Sequence, residues 1–427
     1  MVIHTVKKGE TVDSIARKYN VPSERIIADN LLTDPNALAI GQALVILFPN
    51  ITYTVRNGDT LLGISERVGV PLIKLWQNNP LLNGGEDIVS GQTLNILYPD
   101  NKRKSVISAG YTFPDTDREI LKRTLPYLSR LYIYTYGLDR NGKLLSPEDS
   151  ELISLSKTYD ATPIMVISPI DENGNYNNNN FNRILLNEDK QRALIREITD
   201  TAKSKGYGGV NTSFEFLSDG YDDKYEDFLN DLRNSLDAEG IFLTVEVAPD
   251  TRDMPPDDDS DELVTDGDNE DGVILTTFEI TDKANGPAPI FPINFVENAV
   301  NNAVRKIDSN KILLGMPNFG YVWKLESENG EDNAQSVSNT EAVDIAVDFG
   351  AEIDFDDLSK NPNFTFTAST QSDTPEYKLW FEDARTVKAA LDIINNYNLQ
   401  GFAVWNIRRY FPQLWAVLNS MFNIIKE

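Results

Sequence analysis

From Val106 to Trp405 the chain alternates short apolar runs with stretches of helical periodicity, and this alternation narrows the fold more than any other feature. The runs are Val106–Tyr111, Arg130–Tyr134, Thr162–Ile167, Gly206–Glu215, Ile241–Val247, Gly272–Phe278, Ile312–Met316 and Gly401–Trp405. Most are continuously apolar, as strands buried on both faces of a parallel sheet must be. Helical patterns stand between them, at Asp115–Thr124, Pro147–Tyr159, Glu188–Lys205 and Asp222–Glu239. Eight such units predict an α/β fold, a (β/α)8 TIM barrel over residues 102–427.

Two segments interrupt the rhythm. Asp250 to Asp271 is an acidic run with two prolines where a barrel helix is expected. It reads as a solvated loop; the other reading, a calcium site, lacks the Gly and Glu spacing of a known calcium loop. Lys324 to Tyr377 is too long for a plain connection between strand and helix. It is expected to form a small α+β insertion that walls one side of a cleft.

Composition restricts the chemistry. The chain has no cysteine and a single histidine, His4, which lies in a strand pattern. Disulfides, thiolate nucleophiles, Ser-His-Asp triads and Cys- or His-based metal sites are thereby removed. No metal and no cofactor is expected, and any reaction must run on carboxylates, hydroxyls, amides and lysines. A formal charge of −27 makes nucleic acid a poor partner. No window approaches the apolar run that a membrane span needs, so no span is expected. Met1 leads directly into a structured pattern, with no recognisable signal peptide. The expected state is a monomer.

In a barrel, function gathers at the C-terminal strand ends. Side chains alternate along a strand, so Asn211, Ser213 and Glu215 share one face and end in a lone acid. The other strand ends contribute Tyr111, Tyr134, Glu246, Glu279, Asn318, Tyr321 and Trp405. Aromatic walls with few carboxylates suit sugar rings, whose apolar faces stack while their hydroxyls form hydrogen bonds. Trp405 on position alone fits a core aromatic equally well.

The first hundred residues repeat internally. His4-Thr5-Val6-Lys7-Lys8-Gly9-Glu10-Thr11 aligns with Tyr53-Thr54-Val55-Arg56-Asn57-Gly58-Asp59-Thr60, Asn30 with Asn79, and Gly41-Gln42 with Gly91-Gln92. Each unit, 1–49 and 50–98, reads as strand, helix, helix, strand, a small α+β (βααβ) module. A polar segment, Tyr98–Lys104, links the pair to the barrel. The repeat resembles the LysM module, which implies binding of N-acetylglucosamine polymers such as peptidoglycan or chitin. By that resemblance the glycan contacts are Gly9, Glu10, Thr11 and Asn30 in the first module and Gly58, Asp59, Thr60 and Asn79 in the second. The groove would lie between Gly9–Val12 and Ala28–Leu32, and between Gly58–Leu62 and Gln77–Leu81. Recognition by stacking and hydrogen bonding should depend little on salt.

The barrel also carries a resemblance. Gly208-Gly209-Val210-Asn211-Thr212-Ser213-Phe214-Glu215 is similar to the family 18 glycoside hydrolase signature Asp-Gly-x-Asp/Asn-x-Asp-x-Glu, and within that family to bacterial germination enzymes that open spore cortex and carry paired LysM modules. Leu275–Glu279, Lys311–Tyr321, Trp380–Ala384 and Gly401–Trp405 match in order. The resemblance implies that Glu215 is the general acid/base and that the substrate's own 2-acetamido group is the nucleophile. It also implies a location at the cell wall, spore or extracellular surface. Two positions depart from the pattern. Ser213 stands where the family has an Asp that orients the acetamide, and Phe278 where it has a Tyr that donates to the acetamide oxygen. Both weaken one step, so strongly reduced hydrolysis is expected.

Glu246, an extra carboxylate on the fifth strand, either supplies the charge that Ser213 lacks or takes an outward or merely hydrogen-bonded place. A separation beyond about 6 Å would remove the first reading. The substrate-binding set is then Tyr111, Glu246, Phe278, Glu279, Asn318, Tyr321 and Trp405. Three functions remain open: a slow N-acetylglucosaminidase, a non-catalytic carbohydrate-binding anchor, and a hydrolase for a different sugar or bond.

Overall fold

The structure, a computed structural model, describes residues 1–99, 102–214, 222–248, 270–278, 286–325, 334–368 and 374–427. Each N-terminal repeat folds as strand, two helices and strand. In the first, Val2–Thr5 pairs antiparallel with Ala43–Ile46 around helices Val12–Tyr19 and Ser23–Asn30. In the second, Ile51–Thr54 pairs with Thr93–Leu97 around Leu61–Val68 and Leu72–Asn78. The repeated residues have local reasons. Thr11 and Thr60 cap their helices by accepting from Ser14 N at 3.2 Å and Gly63 N at 3.0 Å. Gly9 and Gly58 take φ of +82° and +85°, a conformation that disfavours any side chain.

Asn79 shows how strongly this repeat is constrained. Its Nδ2 donates to Leu75 O and Asn95 O at 2.8 Å, and its Oδ1 accepts from Asn95 N at 2.7 Å. Asn30 does the same with Ile26 O, Val45 O and Val45 N. Asn79→Ala is therefore expected to leave buried backbone groups unpaired and to lower stability by about 1–3 kcal/mol, read from the urea midpoint.

Eight parallel strands close the barrel: Ser105–Thr112, Arg130–Leu138, Thr162–Ile167, Gly209–Thr212, Phe242–Val247, Gly272–Leu275, Ile312–Pro317 and Gly401–Trp405. Each pairs with the next, and the first and last pair through Ile107↔Gly401 to Gly110↔Val404. Alternate residues fill the interior, including Ile107, Ala109, Tyr132, Ile164, Val166, Ile274 and Leu313. The other faces meet the surrounding helices in a larger core that reaches the second module through Val55, Leu61, Leu75 and Leu94.

An antiparallel five-stranded sheet follows the seventh barrel strand, in the order Ala334–Val337, Gly320–Lys324, Glu376–Trp380, Asn361–Thr367, Asp354–Asp356. It reaches past both limits of the expected insertion, because its first and last strands in chain order pair with each other, Tyr321 opposite Trp380. The fourth barrel strand is shorter than expected, and Ser213 lies just beyond it. Asp250 to Asn269, most of the acidic run, lies outside the described residues.

The modules sit against the barrel. The last barrel helix, Pro412–Met421, sends Gln413 Nε2 to Ala43 O at 2.8 Å and Asn419 Nδ2 to Gln77 O at 3.2 Å. Gln77 Nε2 donates to Pro126 O at 2.7 Å, and Tyr159 OH donates to Gly84 O at 2.8 Å. Among the described residues, no helix is long and apolar enough to cross a membrane.

Candidate active site

Strand register assembles the site. Asn211 lies opposite Thr244 across the fourth and fifth strands. Ser213 and Glu246 are each two residues further on, so alternation returns both to the same inward side at the same level. The outcome is a carboxylate ringed by donors. Ser213 Oγ donates to Glu246 Oε2 at 2.8 Å and Asn211 Nδ2 donates to Oε1 at 2.7 Å. Tyr111 OH also donates to Oε1 from the first strand. The separation from Ser213 is well inside the 6 Å at which a substitute carboxylate would have been removed from consideration. Asn211 is held in turn: its Oδ1 accepts from Thr244 Oγ1 at 2.8 Å.

Beside this cluster is an aromatic floor. The half-buried Trp405 ring meets Tyr111 at 5.2 Å, Phe113 at 5.7 Å and Tyr134 at 5.1 Å between centroids. Phe278 and Trp405 both pack against the cluster of Phe319, Tyr321 and Trp323. Tyr321 belongs to the antiparallel sheet and is 7% exposed, so it backs the aromatic wall. Asn318 follows the seventh barrel strand. It is buried, and its Nδ2 donates to Asn406 O at 3.0 Å and Arg409 O at 2.7 Å, which ties down the loop after Trp405. Glu215 and Glu279 lie outside the described residues.

Sequence reasoning passed over two aromatics. Tyr176, 47% exposed, donates its hydroxyl to Ser213 O at 3.4 Å. Phe113 stands two residues past Tyr111 and extends the Trp405 floor. An exposed Tyr on a polar asparagine-rich loop was the available signal for the first. Period-two continuation of the first strand was the signal for the second.

The LysM positions are structural in their side chains. Glu10 Oε2 accepts from Lys7 N and pairs with His4 Nε2, both at 2.8 Å. Asp59 Oδ2 accepts from Tyr53 OH at 2.7 Å and Arg56 N at 2.8 Å. The backbone bond from Arg56, followed by that from Tyr53, holds the Asp59 carboxyl at about 2. Asn30 and Asn79 are each 5% exposed, with their amides taken up by the backbone. The hydrogen bonds of Glu10 and Asp59 go to the turn, and those of Asn30 and Asn79 to the helix–strand junction.

The pattern that defines the glycosyl hydrolases family 18 matches residues 164–409, more than half of the chain. The chain belongs to glycosyl hydrolase family 18. LysM domains match at 4–47 and 53–97. The cortical fragment-lytic enzyme of Bacillus subtilis (strain 168) is 28% identical over 100% of this chain and 99% of its own length. The spore cortex-lytic enzyme SleL of Bacillus megaterium QM B1551 superposes with a TM-score of 0.81 at 28% identity, covering 100% of this chain and 99% of that one. A chitinase from Chromobacterium violaceum ATCC 12472 shares the fold, with a TM-score of 0.66 at 20% identity over 74% of this chain. The family 18 barrel thus comes with a pair of glycan-binding modules, an arrangement that supports association with cell wall or spore.

Proposed function

We propose that this protein hydrolyses N-acetylglucosamine-containing cell-wall glycan by substrate-assisted retention, with Glu215 as general acid/base and the LysM pair holding the polymer. It acts as a monomer at the cell wall or spore surface. The observation that carries this reading is the Glu246 carboxylate, which accepts from Ser213, Asn211 and Tyr111 at the barrel mouth. In substrate-assisted hydrolysis the acetamide oxygen attacks the anomeric carbon and the glycosidic oxygen leaves with the proton of Glu215. A cyclic oxazolinium forms, and water then opens it. That cation needs a negative charge beside it. Family 18 enzymes place it at the position of Ser213; here the fifth strand supplies it, with Ser213 and Asn211 orienting the carboxylate. Phe278 has no hydroxyl to offer the acetamide oxygen, so turnover should remain slow relative to a family member with the full pattern.

A second reading keeps the cleft for holding glycan without cleavage, and Phe278 is the observation that favours it. The two are separated by incubating the protein and Glu215→Gln with purified cortex and vegetative peptidoglycan and analysing soluble fragments by mass spectrometry. Hydrolysis predicts fragments from wild type alone, with pull-down unchanged in the variant. Pull-down with equal fragment yield from both proteins would leave only the holding function.

A further inference from the structure

Arg408 and Arg409 are adjacent cations at the barrel mouth of a chain with formal charge −27. They sit on the loop that Asn318 ties down, immediately past the Trp405 floor. The Arg408 guanidinium lies 5.1 Å from the centre of the Phe113 ring, itself 5.7 Å from Trp405. Arg408 also pairs with the exposed Asp115. Arg409 donates to Ser336 Oγ at 3.0 Å and Ser336 O at 3.5 Å, and among the described residues no carboxylate pairs with it.

Both arginines line a trough of about 670 Å³ between the barrel and the two modules. Its apolar part includes Leu31 and Leu32 from the first module, Leu81 from the second and Ile120 from the helix Arg118–Thr124. Leu81 is 58% exposed, and Glu24 stands on the lining as an acid set apart from the arginine pair in sequence. A chitin-type chain has no charge to present to these groups. We propose that the trough binds the peptide stem of a peptidoglycan strand whose sugars occupy the barrel mouth, an inference that rests on the glycan reading above. A stem branches from the sugar chain and carries alanyl methyls, free carboxylates and, on its diamino acid, an amine. Methyls suit the leucine floor, carboxylates suit the arginines, and the amine suits Glu24. The volume lies within the range of ordinary ligand pockets. Arg408 joins trough to mouth through Phe113, so one branched ligand reaches both.

Calorimetry on the full chain as Glu215→Gln tests this with three probes: glycan fragments bearing stems, the same fragments after amidase removal of the stems, and N-acetylchitohexaose. The stem should tighten binding about tenfold, the size of one charge-assisted hydrogen bond. That difference should shrink as salt rises, vanish in Arg409→Gln and fall in Glu24→Gln. Two variants at separate places guard against one misfolding. Equal affinity for stem-bearing and stem-free fragments would overturn the proposal, as would a loss of chitohexaose binding in Arg409→Gln, which would put the sugar chain itself in the trough. Because binding is read without turnover, absence of hydrolysis by wild type sinks the glycosidase reading alone, and equal affinities sink the stem site alone.

Discussion

Glu246→Gln is expected to lower fragment release from peptidoglycan by on the order of 10²–10³ in kcat, with KM little changed. Glutamine keeps the size of the side chain and can still accept from Ser213 or Asn211, so the loss isolates the charge. The geometry also predicts a rescue. Ser213→Asp in the Glu246→Gln background returns a carboxylate to the fourth strand, one hydrogen bond from where the charge was, and should recover much of the rate. Ser213→Asp alone should not accelerate the reaction. Two carboxylates within hydrogen-bonding distance cannot both ionise freely near neutrality, and the pH–rate profile should shift as they share a proton. Wild-type rates in Glu246→Gln would show that the carboxylate has no part in the step, and the contact with Ser213 would then be packing only.

Gly41→Ala should have the largest effect on stability, and Gly91→Ala is its internal control. The two glycines hold the same place in the repeat, with φ of +85° and +90°. A side chain at either costs about 1–2 kcal/mol through the left-handed backbone. Their surroundings differ. A Cβ on Gly91 meets nothing within 4 Å, whereas on Gly41 it would fall 1.9 Å from the Ile353 carbonyl oxygen. The first module must therefore move off the antiparallel sheet, breaking Ile353 N to Ile40 O at 2.8 Å and Arg385 Nη2 to Gly41 O at 3.2 Å. Forcing packed backbone apart adds about 1–3 kcal/mol. Thermal melting should show a clearly larger drop for Gly41→Ala, and limited proteolysis should cut between module and barrel in that variant alone. Equal melting shifts would mean that docking on the sheet contributes nothing.

Local pattern carried most of the fold. Glu188–Lys205 is the whole of one observed helix because Asn187 caps it and Gly206 ends it at φ +75°. Thr162–Ile167 and Gly401–Trp405 match their strands because the apolar runs stop where burial stops. Boundaries moved where pairing overrode pattern: strand Arg130–Leu138 runs beyond its apolar core since Gly137 and Leu138 join the short strand at Leu144–Leu145. The LysM signature was legible as a fold. A fixed residue type in a repeat signals constraint, and the hydrogen-bond partners of Asn30, Asn79, Glu10 and Asp59 show that folding is part of that constraint.

By itself, the sequence determined the eight-unit alternation, the duplicated module and the candidate strand-end residues, because periodicity and capping act over a few neighbouring positions. It placed Ser213 and Glu246 on successive strands but left their separation open. Tertiary structure decided that separation. Strand register sets which residues of two separate runs stand level, and one step of slip would turn Glu246 to the opposite face of its strand. With Asn211 opposite Thr244, a carboxyl group on the fifth strand stands within hydrogen-bonding distance of Ser213 beyond the fourth.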